Sequence, residues 1–216
     1  MKKMVRTYDT ILLLAGENPK EFPRSKRAVE IFSQGKAGSI FVTGGVWGLA
    51  SPPYISDGKR SVDYIQKKIV EEKLDDLLGR LFFDYSSHET AGNYTFPIEN
   101  QLPGNPNLAD FSKILVIIEE EHLKERGKTL AEKTLPQNKL EYEVVKGSYK
   151  QSIVSKVYSK ALLTALRHIR EPNPKAVHQF LLEKHPFYQE GWFEKPIQQR
   201  KQELAVTCIK WLIGLR

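Results

Sequence analysis

The stretch FDYSSHETAGN at residues 83–93 brings Asp84, Ser87, His88, Glu89, Thr90 and Asn93 together directly after a short apolar run. Carboxylate, imidazole, hydroxyl and amide groups at this density can hold a ribose or amino group, bind phosphate, or move a proton near neutral pH. Three other places combine an apolar run with polar or glycine residues. Gly16, Glu17 and Asn18 follow TILLLA, Thr43, Gly44 and Gly45 close SIFVTGG, and Glu119, Glu120, Glu121 and His122 follow KILVII. Glycines at Gly16, Gly44 and Gly45 let backbone N–H groups approach an anion or a ring closely. Ser87 and Thr90 suit helix caps and also phosphate or hydroxyl ligands. Asp84 suits a ribose or amino group, and His122 is the acid–base candidate because imidazole titrates near neutrality. Plainer readings stand beside these. TGG also serves as a tight strand exit, Ser87 and Thr90 as caps alone, and Glu119–Glu121 as acids at a helix start, where the dipole favours them. His88, His168, His178 and His185 have no partner visible in the sequence and read as surface or loop residues.

The elements that must position these groups are legible as patterns. TILLLAG (10–16), SIFVTGG (39–45) and KILVIIE (113–119) are continuously apolar, as strands covered on both faces are. RLFFDY (80–85) reads as a fourth strand, and KLEYEVVKG (139–147), which alternates, as a fifth near an edge. Helical patterns fill 24–38, with Gly35 as a stop, then 58–78, 121–134, about 150–169, and 197–213. The order βαβαβ…βαβ predicts an α/β fold, a three-layer α/β/α Rossmann-like arrangement with a mostly parallel sheet of about five strands. Residues 1–150 form this domain, and 151–216 are extra C-terminal helices packed on it. In such sheets ligands bind beyond the carboxyl ends of the strands, so the polar strand exits are expected to converge.

Composition narrows the function. With 33 Lys and Arg against 26 Asp and Glu, the formal charge is +7, but the bases are interleaved with acids, as in KKIVEEK, which is the pattern of a solvated helix face. No dedicated nucleic-acid binding is expected. The longest apolar runs are too short for a membrane span. A single cysteine, Cys208, in an apolar segment reads as a buried structural thiol in a reducing cytoplasmic compartment. The glycine fingerprint of dinucleotide enzymes and the Walker loop are both absent from the sequence.

In this order and spacing the chain resembles the YdcF/SanA/ElyC family of Rossmann-like domains of unknown function, over about residues 9–147. The resemblance rests on four segments. ILLLAG is followed by Arg24, Ala28, Ile31, Phe32 and Gly35, and then by TGG. DYSSHETAGN carries Asp84, Ser87, Thr90 and Asn93, and KILVIIEEEH ends at His122. The chain departs from the family pattern with Asp84 for Glu, Glu89 for Asn, and Gly92 for an acid. In HLKERG, Glu125 stands where Arg is usual and Arg126 comes one position later. The segment VWGLASPPYISDG (46–58) is an insertion suited to a lid. Transferase or hydrolase chemistry is expected, although the family has no generally assigned reaction; the resemblance implies S-adenosylmethionine, another adenosyl compound or a nucleotide-like anion as the small-molecule ligand. It implies Gly16, Glu17, Asn18, Arg24, Thr43, Gly44, Gly45, Ser87, Thr90 and Asn93 as ligand contacts, and His122 and Asp84 as catalytic groups. Two alternatives stay open. One is a non-catalytic ligand-binding or sensor module with a degenerate site. The other is a metal-dependent hydrolase drawing on Asp84, His88, Glu89, Glu121 and His122.

Overall fold

Each apolar run becomes a strand of one sheet. The computed structural model describes residues 6–100, 102–120, 126–136, 139–147 and 153–215. β1 (Thr10–Leu14), β2 (Ile40–Thr43), β3 (Leu81–Asp84), β4 (Ile114–Glu119) and β5 (Leu140–Val145) lie in the order β3-β2-β1-β4-β5, all neighbours parallel. The strand order reverses between β1 and β4, which makes their carboxyl ends the topological switch point.

Alternate residues of each central strand serve two separate cores. Ile11, Leu13, Ile40, Val42, Leu115 and Ile117 face α1 (Pro23–Ser33) and α2 (Asp57–Glu72). Leu12, Leu14, Phe41, Ile114, Val116 and Ile118 face the opposite way. This second core is the larger, and most of its remainder comes from residues beyond 150. The sequence expectation of one helix over 58–78 is corrected here. Lys73 takes a left-handed conformation (φ 54°) that ends α2, and a one-turn helix, α3 (Asp75–Leu78), follows.

On the second face lie α4 (Thr90–Glu99) and α5 (Lys128–Thr134), then α6 (Ile153–Ala165), α7 (Pro174–Lys184) and α8 (Ile197–Leu212). α4 is buried from Thr90 through Pro97 and has no polar face. α7 packs on α4, and α8 packs on α6. Between α7 and α8 the chain makes two 3-10 turns, Pro186–Tyr188 and Trp192–Glu194. These turns insert Phe187 and Trp192, each 1 % exposed, into the same core. Tyr158, Ala161, Leu162 and Ala165 of α6, and Leu204, Cys208 and Trp211 of α8, complete the stripes that bind these helices to it. Among the described residues no helix is long and apolar enough to cross a membrane.

Candidate functional site

The carboxyl edge of the sheet holds two polar centres, one closed and one open. The closed one fills the switch point. The Glu17 carboxylate reaches back to the start of α1, accepting the backbone N–H of Arg24 at 2.6 Å and of Ser25 at 3.1 Å, and the hydroxyl of Ser61 at 3.1 Å. The Arg24 side chain, with no exposure, donates to the Leu14 carbonyl and lies 3.5 Å from Glu119. Burial pushes the Glu119 carboxyl up, and the Arg24 charge opposes that rise. Glu17 and Arg24, expected as ligand contacts, are thus engaged with each other's segment and with β4, and they do not line the open cleft.

The open centre is a cleft of about 330 Å³ above the ends of β1, β2 and β3. Its sheet-side wall contains Ala15, Gly16, Gly44 and Gly45. Ser87, Thr90 and Asn93 come from the β3–α4 connection, together with His88 and Glu89, and Asp57 stands at the start of α2. Of the expected ligand contacts, Gly16, Gly44, Gly45, Ser87, Thr90 and Asn93 therefore meet around one space. Asn18 does not line it, and its side-chain oxygen accepts the Lys20 N–H. Thr43 and Asp84, Cα partners at the ends of β2 and β3, lie beneath it at 0 % and 1 % exposure. Asp84 turns one oxygen to the Ser86 N–H at 2.7 Å. Its other oxygen and the Thr43 hydroxyl are buried without a hydrogen-bond partner among the described residues. His122, Glu121 and Glu125 lie outside the described residues. Among the described residues no group of three or more His, Cys, Asp or Glu is arranged to hold a metal ion.

Two of the three glycine amides expected to contact an anion are already used. The Gly44 N–H donates to the Asp84 carbonyl and the Gly45 N–H to that of Ser87. A Cβ at Gly45 would overlap the carbonyls of Tyr85 and Ser87, so glycine is required here for close packing of two loops. The N–H groups of Asp57 and Gly58 donate to the carbonyls of Gly45 and Gly44, and Ser56 caps α2 by accepting from Lys59 N–H. α4 is capped by Glu89, whose carboxylate accepts from Ala91 at 2.7 Å and from Gly92. That corrects the expectation of Ser87 or Thr90 as the cap. Ser87 instead donates to the Asn93 side chain, and Thr90 accepts from Arg126. The helix starts that border this edge, where anions usually bind, are therefore satisfied by the chain's own groups, twice by carboxylates.

The other wall comes from residues that the sequence reading left in the core or in the insertion. Trp47 and Leu49 of the 46–58 segment, Val154, Ser155 and Tyr158 of α6, and Leu204 of α8 complete the cleft. The 46–58 segment is clasped from behind. The Gly48 carbonyl accepts from Trp192 Nε1 at 2.6 Å and from Arg200 Nη1 at 3.1 Å, and the Tyr54 hydroxyl donates to the Phe193 carbonyl at 3.0 Å. Trp47 sets its ring edge-on to Tyr158 and Phe187.

A buried relay runs from this wall into the site. The Phe187 N–H donates to His185 Nδ1 at 3.2 Å, which fixes the ring proton on Nε2. Nε2 lies 2.8 Å from the Tyr158 hydroxyl, which in turn donates to Glu89 at 3.5 Å. His185 has no exposure, so the expectation of a surface or loop histidine is corrected. Burial, with the Arg126 and His88 charges, lowers its pKa to about 3. Burial likewise raises the pKa of Glu89, against its two helix N–H bonds, the Arg126 charge and Tyr158. His88 is also a cleft residue. Its Nδ1 lies 2.9 Å from the Val46 carbonyl, so Nδ1 carries the proton and Nε2 keeps a lone pair. Burial lowers its pKa, which keeps the ring neutral near pH 7. Cys208 is buried, its thiol pushed up to about 11, and carries no reactive character.

The two positions at which DYSSHETAGN departs from the family pattern after its first residue both meet the C-terminal region. Glu89 receives the Tyr158 hydroxyl, and a Cβ at Gly92 would overlap the Tyr188 hydroxyl. That hydroxyl accepts the His88 N–H at 3.0 Å. No family model matches the chain, and neither a curated protein nor a solved structure shows detectable similarity to it.

Proposed function

We propose that the cleft binds an adenosyl ligand of the S-adenosylmethionine type. The single observation that carries this reading is the Glu89 carboxylate seated on the α4 N-terminus in the cleft wall. A polyphosphate would meet that carboxylate, together with Asp57, where a phosphate site would offer free amides. A sulfonium or ammonium group gains from the same acids. The volume of about 330 Å³ suits a small molecule, and Trp47 and Tyr158 offer aromatic surface to a purine or a cation. The resemblance to the YdcF/SanA/ElyC family, whose YdcF-like member is thought to bind S-adenosylmethionine, gives the same ligand from sequence. For group transfer from such a ligand, His88 is the base among the described residues. It is neutral, held by Val46, and has an unprotonated Nε2. A cytoplasmic setting belongs to the same proposal and is supported by the single buried thiol.

The test is isothermal titration of the full chain with S-adenosylmethionine and, separately, with ATP. Binding of the first and little or none of the second is expected. Equal or tighter binding of ATP would overturn the choice of ligand. His88→Asn is expected to keep binding while abolishing any transfer activity.

A further inference from the structure

The cleft contains one buried cation whose partner is absent from the chain's described residues. Arg126 lines the cleft and is 4 % exposed. Its Nε donates to Thr90 Oγ1 at 3.1 Å and its Nη1 to Ser159 Oγ at 3.1 Å, and its guanidinium lies over the Tyr158 ring at 5.1 Å. Both hydrogen-bonding partners are neutral hydroxyls. Glu89 is near enough for its carboxyl to feel the Arg126 charge, but its oxygens are committed to the Ala91 and Gly92 amides and to Tyr158, and it forms no ion pair with Arg126. The other internal arginine of the sheet edge, Arg24, has the Glu119 carboxylate beside it. A buried guanidinium with neutral tethers and no ion pair among the described residues is costly unless an anion completes it. The tethers also hold the planar fork in one orientation, which suits recognition of a carboxylate or a phosphate oxygen pair.

We infer that Arg126 anchors an anionic group of the ligand, and that this group is the α-carboxylate of an amino-acid-bearing adenosyl compound. The carboxylate assignment rests on the proposed adenosyl ligand, whereas the anion anchor does not. A zwitterionic end fits the surroundings. The carboxylate meets Arg126, while the ammonium or sulfonium lies toward the acids Glu89 and Asp57 of the same cleft. A free phosphate shares the chemistry that Arg126 recognises, so the experiment must separate the two.

Three probes do so with wild type and with Arg126→Gln: S-adenosylmethionine, 5′-methylthioadenosine (which lacks the amino-acid end and carries a neutral thioether in place of the sulfonium), and inorganic phosphate. Wild type is expected to bind S-adenosylmethionine at least about tenfold more tightly than 5′-methylthioadenosine, and folded Arg126→Gln to lose most of that preference, keeping only the share due to the ammonium and sulfonium. An undiminished preference in folded Arg126→Gln overturns the inference. Equal binding of the two adenosyl probes by wild type also overturns it and leaves the adenosyl reading standing. A response of wild type to phosphate alone, lost in Arg126→Gln, keeps the anion anchor and discards the adenosyl ligand. A wild type that binds none of the three discards both. Circular dichroism checks folding. If Arg126→Gln does not fold, Ser159→Ala, which removes one tether and keeps the charge, is expected to shrink the preference severalfold. An unchanged preference there overturns the inference.

Discussion

The two walls of the cleft are built by different means. The sheet-side wall is made of loop ends with their amides paired: Gly44 to Asp84, Gly45 to Ser87, and Asp57 and Gly58 back to the same turn. The amides of Gly44, Gly45, Asp57 and Gly58 are therefore not left for a ligand. The helical wall is made of side chains from a region that shares the core with the sheet, with Tyr158, Leu204 and the clasped Trp47 facing the space. Its polar atoms hold the titratable groups of the site in place through Tyr158, His185 and Ser159. The sheet-side loops thus carry Asp57, His88 and Glu89, and the helical wall supplies the aromatic and apolar surface of the cleft.

The difference is tested most strongly by matched damage to the two cores. Trp192→Ala removes a buried indole and one clasp on Gly48, and is expected to cost about 3–5 kcal/mol. Ile65→Ala, in the core on the other face of the sheet, is expected to cost about 2–5 kcal/mol. Chemical denaturation measures both. Ligand affinity should fall in folded Trp192→Ala and stay unchanged in folded Ile65→Ala. Equal loss of affinity in the two would remove the distinction between the walls.

Gly92→Ala is a smaller perturbation at the seam. The added methyl meets the Tyr188 hydroxyl, and an overpacking cost of about 1–3 kcal/mol is expected, together with weaker binding. A neutral effect on both would show that the seam is loose.

The relay gives a pH signature. His185 has a folded pKa of about 3 against an ordinary 6.5, so between these values the unfolded chain binds a proton that the folded chain does not. Its contribution is therefore fully present above pH 6.5 and declines as pH falls, by about 1.4 kcal/mol per pH unit, until pH 3. The stability difference between wild type and His185→Gln should narrow over that window. A constant difference down to pH 5 would contradict the buried neutral ring. The smallest effect is expected at Ser56→Ala on the sheet side. Loss of the α2 cap costs about 1 kcal/mol, read as a small fall in melting temperature with binding preserved.

The strands were legible because a parallel strand buried on both faces needs a continuous apolar run, and TILLL, IFVT and ILVIIE have little else to become. Gly16, Gly44, Gly45, Ser87, Thr90 and Asn93 were legible for a related reason: they follow such runs. The helical wall was not. The apolar spacing over 150–169 places Ile153 and Val157 in the core, but both are exposed, and the buried face runs through Tyr158, which that spacing does not mark; Leu204 reads as ordinary core. α4 carries Gly92, Thr95 and Pro97 and is buried on all sides, so neither propensity nor periodicity marks it. The caps at α1 and α4 come from Glu17 and Glu89, and a long carboxylate reaching back to a helix start has a weaker local signature than Ser or Thr. Lys73 has no side-chain property that announces its left-handed turn.

The clasp on Gly48 bears on the order of synthesis. Its two donors enter the chain 144 and 152 residues after the carbonyl they hold. A chain still being made has its first strands, and the turn that floors the cleft, long before it has a back wall. The ligand can therefore stabilise only chains extended through Arg200, by mass action on a site that shorter ones do not have.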